Sequence, residues 1–128
     1  MGCANDSSNA PPSPKVNKGE KLKPVDAVAV LTGTARWCYD NTSNDALFAT
    51  HSFHKDGSGD YTICHHAKKS CNAPIPMKWK VVDDTLTMIL PKKFNPNVWT
   101  AQLRFLNGTV QLWEDDNTLK SVLVNCNQ

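Results

Sequence analysis

The sequence predicts an all-β domain, a small antiparallel up-and-down β-barrel of about eight strands, with a two-sheet β-sandwich as the alternative. Apolar and polar residues alternate in short runs from residue 34 to the end, the period-2 pattern of half-buried strands. Turn residues separate the runs, so successive strands are joined by short hairpin connections rather than crossovers. Closing such a meander into a barrel also removes exposed strand edges.

Residues 2–24 hold four of the eight prolines and little apolar surface to bury. They are expected to form a disordered N-terminal tether (1–24), leaving one domain over 25–128. Residues 25–31 (VDAVAVL) fit either one helical turn plugging a barrel end or an extra strand. The strand segments follow at 34–40, 46–54, 59–66, 75–82, 84–90, 98–106, 109–114 and 118–126. Among the turns between them, Asn107-Gly108 is the clearest, because a two-residue type I′ turn wants positive φ at both sites.

Alternation sorts the side chains. One face carries Trp37 and Tyr39, then Leu47, Ala49, His51 and Phe53, then Tyr61 and Ile63, then Met77, Trp79 and Val81. It continues through Leu86, Met88, Leu90, Trp99, Ala101, Leu103, Phe105, Val110 and Leu112. Arg36, Lys78, Lys80, Thr85, Thr87, Gln102, Arg104 and Gln111 fall on the opposite, solvated face. In the last strand Leu119/Leu123 compete with Val122/Val124 for the inside. The large aromatic inner set fits both a packed interior and an apolar cavity.

Formal charge is +2. It resides in the tether, where Lys15, Lys18, Lys21 and Lys23 outnumber Asp6 and Glu20, so the domain is neutral, with no basic stripe for nucleic acid. No apolar run approaches the roughly 18 residues of a membrane span.

Five cysteines is an odd number. Cys3 stands alone in the tether, where a lipid anchor would sit, and the other four lie inside the run of short strand segments. In a closed meander the first and last strands are neighbours, which favours Cys38–Cys126, and Cys64–Cys71 would then pin the loop between the third and fourth segments. Such pairing implies an oxidising compartment. The competing reading, a metal site around Cys64, His65 and Cys71, lacks the paired spacing of zinc ligands, so no metal or other cofactor is expected. A hairpin turning at 56–59 would make His51 and His65 diagonal neighbours on the inner face, able to share a ligand.

No catalytic motif is present: the sequence has no Gly-x-Ser-x-Gly, no phosphate-cradling glycine loop and no His-Glu-x-x-His. Asp83-Asp84 and Glu114-Asp115-Asp116 look like acid pairs, but they fall where hairpins turn. A non-enzymatic protein is expected.

Leu31-Thr32-Gly33 followed by Trp37, the Phe53-His54-Lys55-Asp56-Gly57 … Asp60-Tyr61-Thr62-Ile63 hairpin, and Trp79 ahead of Asp84-Thr85-Leu86 resemble the bacterial lipocalin-like lipoproteins. The resemblance implies a lipocalin-like barrel, removal of a signal peptide, and a diacylglyceryl group with palmitate on Cys3. Ala4 beside it would imply sorting to the outer membrane, facing periplasm or exterior. The expected function is a monomeric, lipid-anchored envelope binding module. Its ligand would be a hydrophobic small molecule, held by Trp37, Tyr61, Trp79, Trp99, His51 and His65, or an envelope protein. The alternatives are a pilotin-type accessory of a secretion system and a protein similar to the periplasmic lysozyme inhibitors.

Overall fold

The computed structural model describes residues 17–40, 47–65 and 68–126. One helix, α1 (Pro24–Thr32), precedes nine strands: β1 (Trp37–Tyr39), β2 (Leu47–Phe53), β3 (Ser58–His65), β4 (Ser70–Cys71), β5 (Ile75–Val82), β6 (Thr85–Ile89), β7 (Val98–Leu106), β8 (Thr109–Asp115) and β9 (Thr118–Asn125). Antiparallel pairing runs β1-β2-β3-β5-β6-β7-β8-β9 and returns from β9 to β1. Eight strands therefore close a barrel, and the short β4 is an extra strand on β3. The expected fold class is the one observed.

Local chemistry explains the hairpins. Asn107 and Gly108 both adopt positive φ (53° and 81°) in the β7–β8 turn, as a type I′ connection requires. Asp56 accepts from the Ser58 N–H at 2.9 Å, and Asp115 accepts from that of Asn117 at 2.8 Å. These carboxylates cap turns.

Inward positions form the core: Trp37, Phe53, Met77, Trp79, Leu86, Met88, Leu90, Ala101, Leu103, Phe105, Val110 and Leu112 are all buried. Leu123 settles the ambiguous last strand. It is fully buried opposite Val110 and Tyr39. Register shifts near Trp113 interrupt the alternation and set Leu119 opposite that outward residue.

Residues 25–31 are helical. Pro24 starts α1 at a position where a missing N–H costs nothing, and Asp26 stands in the first turn. The helix is short and valine-rich, so its stability comes from packing. Ala27 and Leu31, one turn apart, are buried in the core, and the Trp37 indole N–H donates to the Leu31 carbonyl at 3.0 Å. The helix closes the barrel end at which β1 begins and β2 finishes.

Part of the expected tether is structured. Residues 17–23 form a strap across the outside of β7 and β8. Glu20 and Phe105 exchange two backbone hydrogen bonds of 2.9 Å, where β7 extends past β6 and its edge would otherwise be unpaired. Gln111 Oε1 accepts from the Gly19 N–H at 2.7 Å, while its Nε2 donates to the Asn17 carbonyl at 2.7 Å. Gln111, expected on the solvated face, is consequently 2% exposed. The outward Trp113 is buried beneath Lys18, whose ammonium lies 5.1 Å from the ring centroid. The expected boundary at residue 24 gives way to a strap that the backbone needs of β7 hold in place.

Gly19 makes this close crossing practicable. A Cβ there would lie 2.6–2.8 Å from the backbone O, C and N of Phe105, so Gly19→Ala must lift the strap. We expect a loss of about 1–3 kcal/mol in urea unfolding, with Trp113 becoming accessible to acrylamide. Wild-type stability with a still-protected Trp113 would refute the tight crossing.

Candidate functional site

Both expected disulfides are present, Cys38–Cys126 and Cys64–Cys71. The first joins β1 to the end of β9 and locks the seam where the barrel closes. The second ties β4 to β3. Cys3 lies outside the described residues.

With α1 closing one end, the opposite end is bounded by the connections β1–β2, β3–β5, β6–β7 and β8–β9. A pocket opens there, lined by Tyr39, His51, Tyr61, Met88, Leu90 and Trp99. Below it the barrel is solid, since Trp37, Leu31, Leu86, Leu103, Leu123 and Val110 are each less than 2% exposed. The sequence left open a packed interior or a cavity. The structure has a packed interior beneath a shallow pocket. Its volume is about 40 Å³, well below the roughly 300–1,000 Å³ of small-molecule sites, so it seats only part of a small group.

His51 is the polar centre. β2 aims it inward opposite Tyr61, and the two rings stack with centroids 5.1 Å apart. Tyr39 Oη lies 3.0 Å from His51 Nε2, and Phe53 flanks the imidazole at 5.9 Å. The ring is 3% exposed, and burial, with a smaller push from the Arg36 guanidinium, lowers its pKa from 6.5 to about 4. Burial, then Tyr61, raises the Tyr39 hydroxyl to about 12. Both groups are neutral at physiological pH. His51 Nδ1 has no partner among the described residues. If Tyr39 donates to Nε2, Nδ1–H is an unmet donor; in the other tautomer Nδ1 is an unmet acceptor. Either way a buried polar atom stays unsatisfied, at a cost of about 1–3 kcal/mol.

Behind the site, on the outer face of β2 and β3, Arg36 donates to Thr50 Oγ1 at 2.6 Å and pairs with Asp60 at 2.5 Å. This clamp covers Thr50 and Thr62, which are buried although they point outward.

Of the residues expected to bind ligand, the structure gathers Tyr61, His51 and Trp99 and separates the rest. Trp37 belongs to the core. Trp79 is buried, donates to the His54 and Ser58 carbonyls, and packs edge-on against Phe53 at 5.2 Å. His65 is not beside His51. The β2–β3 hairpin pairs Phe53 with Gly59, which sets His51 opposite Tyr61 and His65 opposite Leu47. The turn lies at 54–57 rather than 56–59, because Asp56 and Gly57 supply its cap and its positive φ. Among the described residues no group of three or more His, Cys, Asp or Glu could hold a metal ion.

Alternation puts Tyr39, Met88 and Leu90 on the inner face without marking them as a site. Their signal was position: each is at or near the last inward residue before an open-end connection.

Comparison with known protein families, with curated proteins and with solved structures finds no significant match to this chain.

Proposed function

We propose that this chain is a non-enzymatic, lipid-tethered binding module of a bacterial cell envelope, held at the outer membrane through Cys3 and acting as a monomer. Its open-end pocket seats part of one small planar, mostly apolar group that carries a single hydrogen-bonding atom. The observation that supports this reading is the buried His51, with an unpartnered nitrogen, in a pocket otherwise lined by aromatic and aliphatic side chains. A ligand that meets Nδ1 recovers the cost of that orphan atom. The shallow depth favours a single ring over an acyl chain running down the barrel.

Binding suits these groups better than proton transfer. A general acid or base works best with a pKa near the operating pH, whereas His51 and Tyr39 are displaced to about 4 and about 12. Two disulfides agree with an oxidising compartment.

The test is a titration with p-cresol and with indole. Tyrosine and tryptophan fluorescence reports p-cresol, and calorimetry reports both. We expect saturable binding that weakens about tenfold, the worth of one buried hydrogen bond, in the double variant Tyr39→Phe/His51→Leu. That variant removes both hydrogen-bonding partners together, so it should fold with unchanged or greater stability. No saturable binding of either ligand to wild-type protein would refute the pocket reading.

A further inference from the structure

The domain's neutral total conceals a sorted surface. From Tyr61 to Trp113 the only acidic residues are Asp83 and Asp84, against Lys68, Lys69, Lys78, Lys80, Lys92, Lys93 and Arg104. Both aspartates occupy the β5–β6 turn at the plugged end, where Asp84 is paired with Lys21 at 3.2 Å. The open-end connections of this sector carry lysine without acid. Lys68 and Lys69 sit in the β3–β4 turn, and Lys92 and Lys93 in the β6–β7 connection, all exposed. The domain's basic residues are thus concentrated in one stretch, although its total charge is neutral.

Apolar surface coincides with this charge. Across β5, β6 and β7 the register places Lys78, Ile89 and Val98 in one row. Ile89 is 38%, Val98 48% and Trp99 44% exposed. Trp99 is pinned at the rim, where its indole N–H donates to the Pro96 carbonyl at 3.1 Å, and the Lys120 ammonium lies 6.0 Å from its centroid. Acidic residues of the open end, Asp40 after β1 and Glu114, Asp115 and Asp116 at the β8–β9 turn beside Lys18, lie on the strands beyond β7, so the basic surface is confined to the β3–β7 connections.

The strap touches this end through the Lys18 side chain. Asn17 is held by Gln111, and Lys18 donates to the Asp116 carbonyl in the β8–β9 turn.

We propose that the open end docks on an anionic lipid surface. Lys68, Lys69, Lys92 and Lys93 lie against headgroup phosphates, Trp99 and Val98 enter the headgroup layer, and the pocket opens toward the bilayer. Lysines near an anionic leaflet attract it strongly, and an indole with one polar edge is the side chain that membrane interfaces favour. A nucleic acid or an acidic protein would answer the charge but would leave the Ile89–Val98–Trp99 strip without an apolar counterpart. The direction of docking rests on the lipid-tether reading; the docking surface itself does not.

The test therefore uses the chain without any acyl group, sedimented with vesicles containing phosphatidylglycerol and with vesicles of phosphatidylcholine alone. Expected are binding to the anionic vesicles only, weakening with added salt, and quenching of Trp99 by brominated lipid that disappears in Trp99→Phe. The double variant Lys92→Glu/Lys93→Glu should bind at least about tenfold more weakly. Lys55→Glu, in the exposed β2–β3 turn at the plugged end, should bind as wild type. The proposal is overturned by absent or equal binding to the two vesicle types, or by an equal loss in Lys55→Glu. Capture by heparin or an oligonucleotide without vesicle binding also overturns it. The p-cresol and indole titrations contain no lipid, so failure here leaves the pocket reading standing, and failure there leaves this one.

Discussion

Replacing Cys38 and Cys126 by serine should lower the stability of the barrel by about 4–5 kcal/mol on the chain-entropy account. The bond closes a loop of 88 residues, so its removal restores much conformational freedom to the unfolded chain. That is a large share of the roughly 5–15 kcal/mol available to a domain of this size. The location compounds the effect. β1 contributes only three residues to the closing seam, Trp37, Cys38 and Tyr39, opposite Asn125, Val124 and Leu123. Urea unfolding of the Cys38→Ser/Cys126→Ser variant, beside Cys64→Ser/Cys71→Ser, checks the mechanism. The shorter loop spans 7 residues and should be worth only about 2 kcal/mol. An equal or larger loss from the second pair would mean that the seam bond does not act through loop closure.

Stability should also fall as pH drops from about 6.5 toward 4, by roughly 3 kcal/mol. His51 has a folded pKa of about 4 against 6.5 for the exposed group. Between those values the unfolded chain binds a proton that the folded chain refuses, so ΔG of unfolding rises with pH across the window. Above 6.5 the contribution is fully present; below 4 both states are protonated and it is gone. The charged groups acting on the imidazole, Arg36 and Asp60, do so in opposite directions, and burial is the larger cause. Asp56 and Asp115, held below their ordinary 3.8 by hydrogen bonds to Ser58 and to Asn117 respectively, lose their contributions only beneath the window. Denaturation at a series of pH values should therefore show a slope that the Tyr39→Phe/His51→Leu variant lacks. An unchanged slope in that variant would place the titrating group elsewhere.

Much of the architecture was legible because its causes are local. The alternation that separates Leu86 and Met88 from Thr85 and Thr87 needs only the two-residue repeat of a strand. The Asn107-Gly108 turn needs only two adjacent residues tolerant of positive φ. Cys38–Cys126 followed from closure of a meander, since first and last strands must then meet. The site was half legible. His51, Tyr61 and Trp99 were visible as inward polar or aromatic residues. What set them apart from the equally inward Trp37 and Trp79 was depth along the barrel axis, which alternation does not encode.

The sequence by itself determined the eight barrel strands, their inward faces, most of the turns and the cysteine pairs, because each depends on neighbouring residues or on simple closure. Only the tertiary structure decided what depends on distant parts of the chain. Helicity of residues 25–31 required a core for Ala27 and Leu31, and the strap over Gln111 required an unpaired edge on β7. The β2–β3 register parted His51 from His65, and the plug at one end left the pocket at the other.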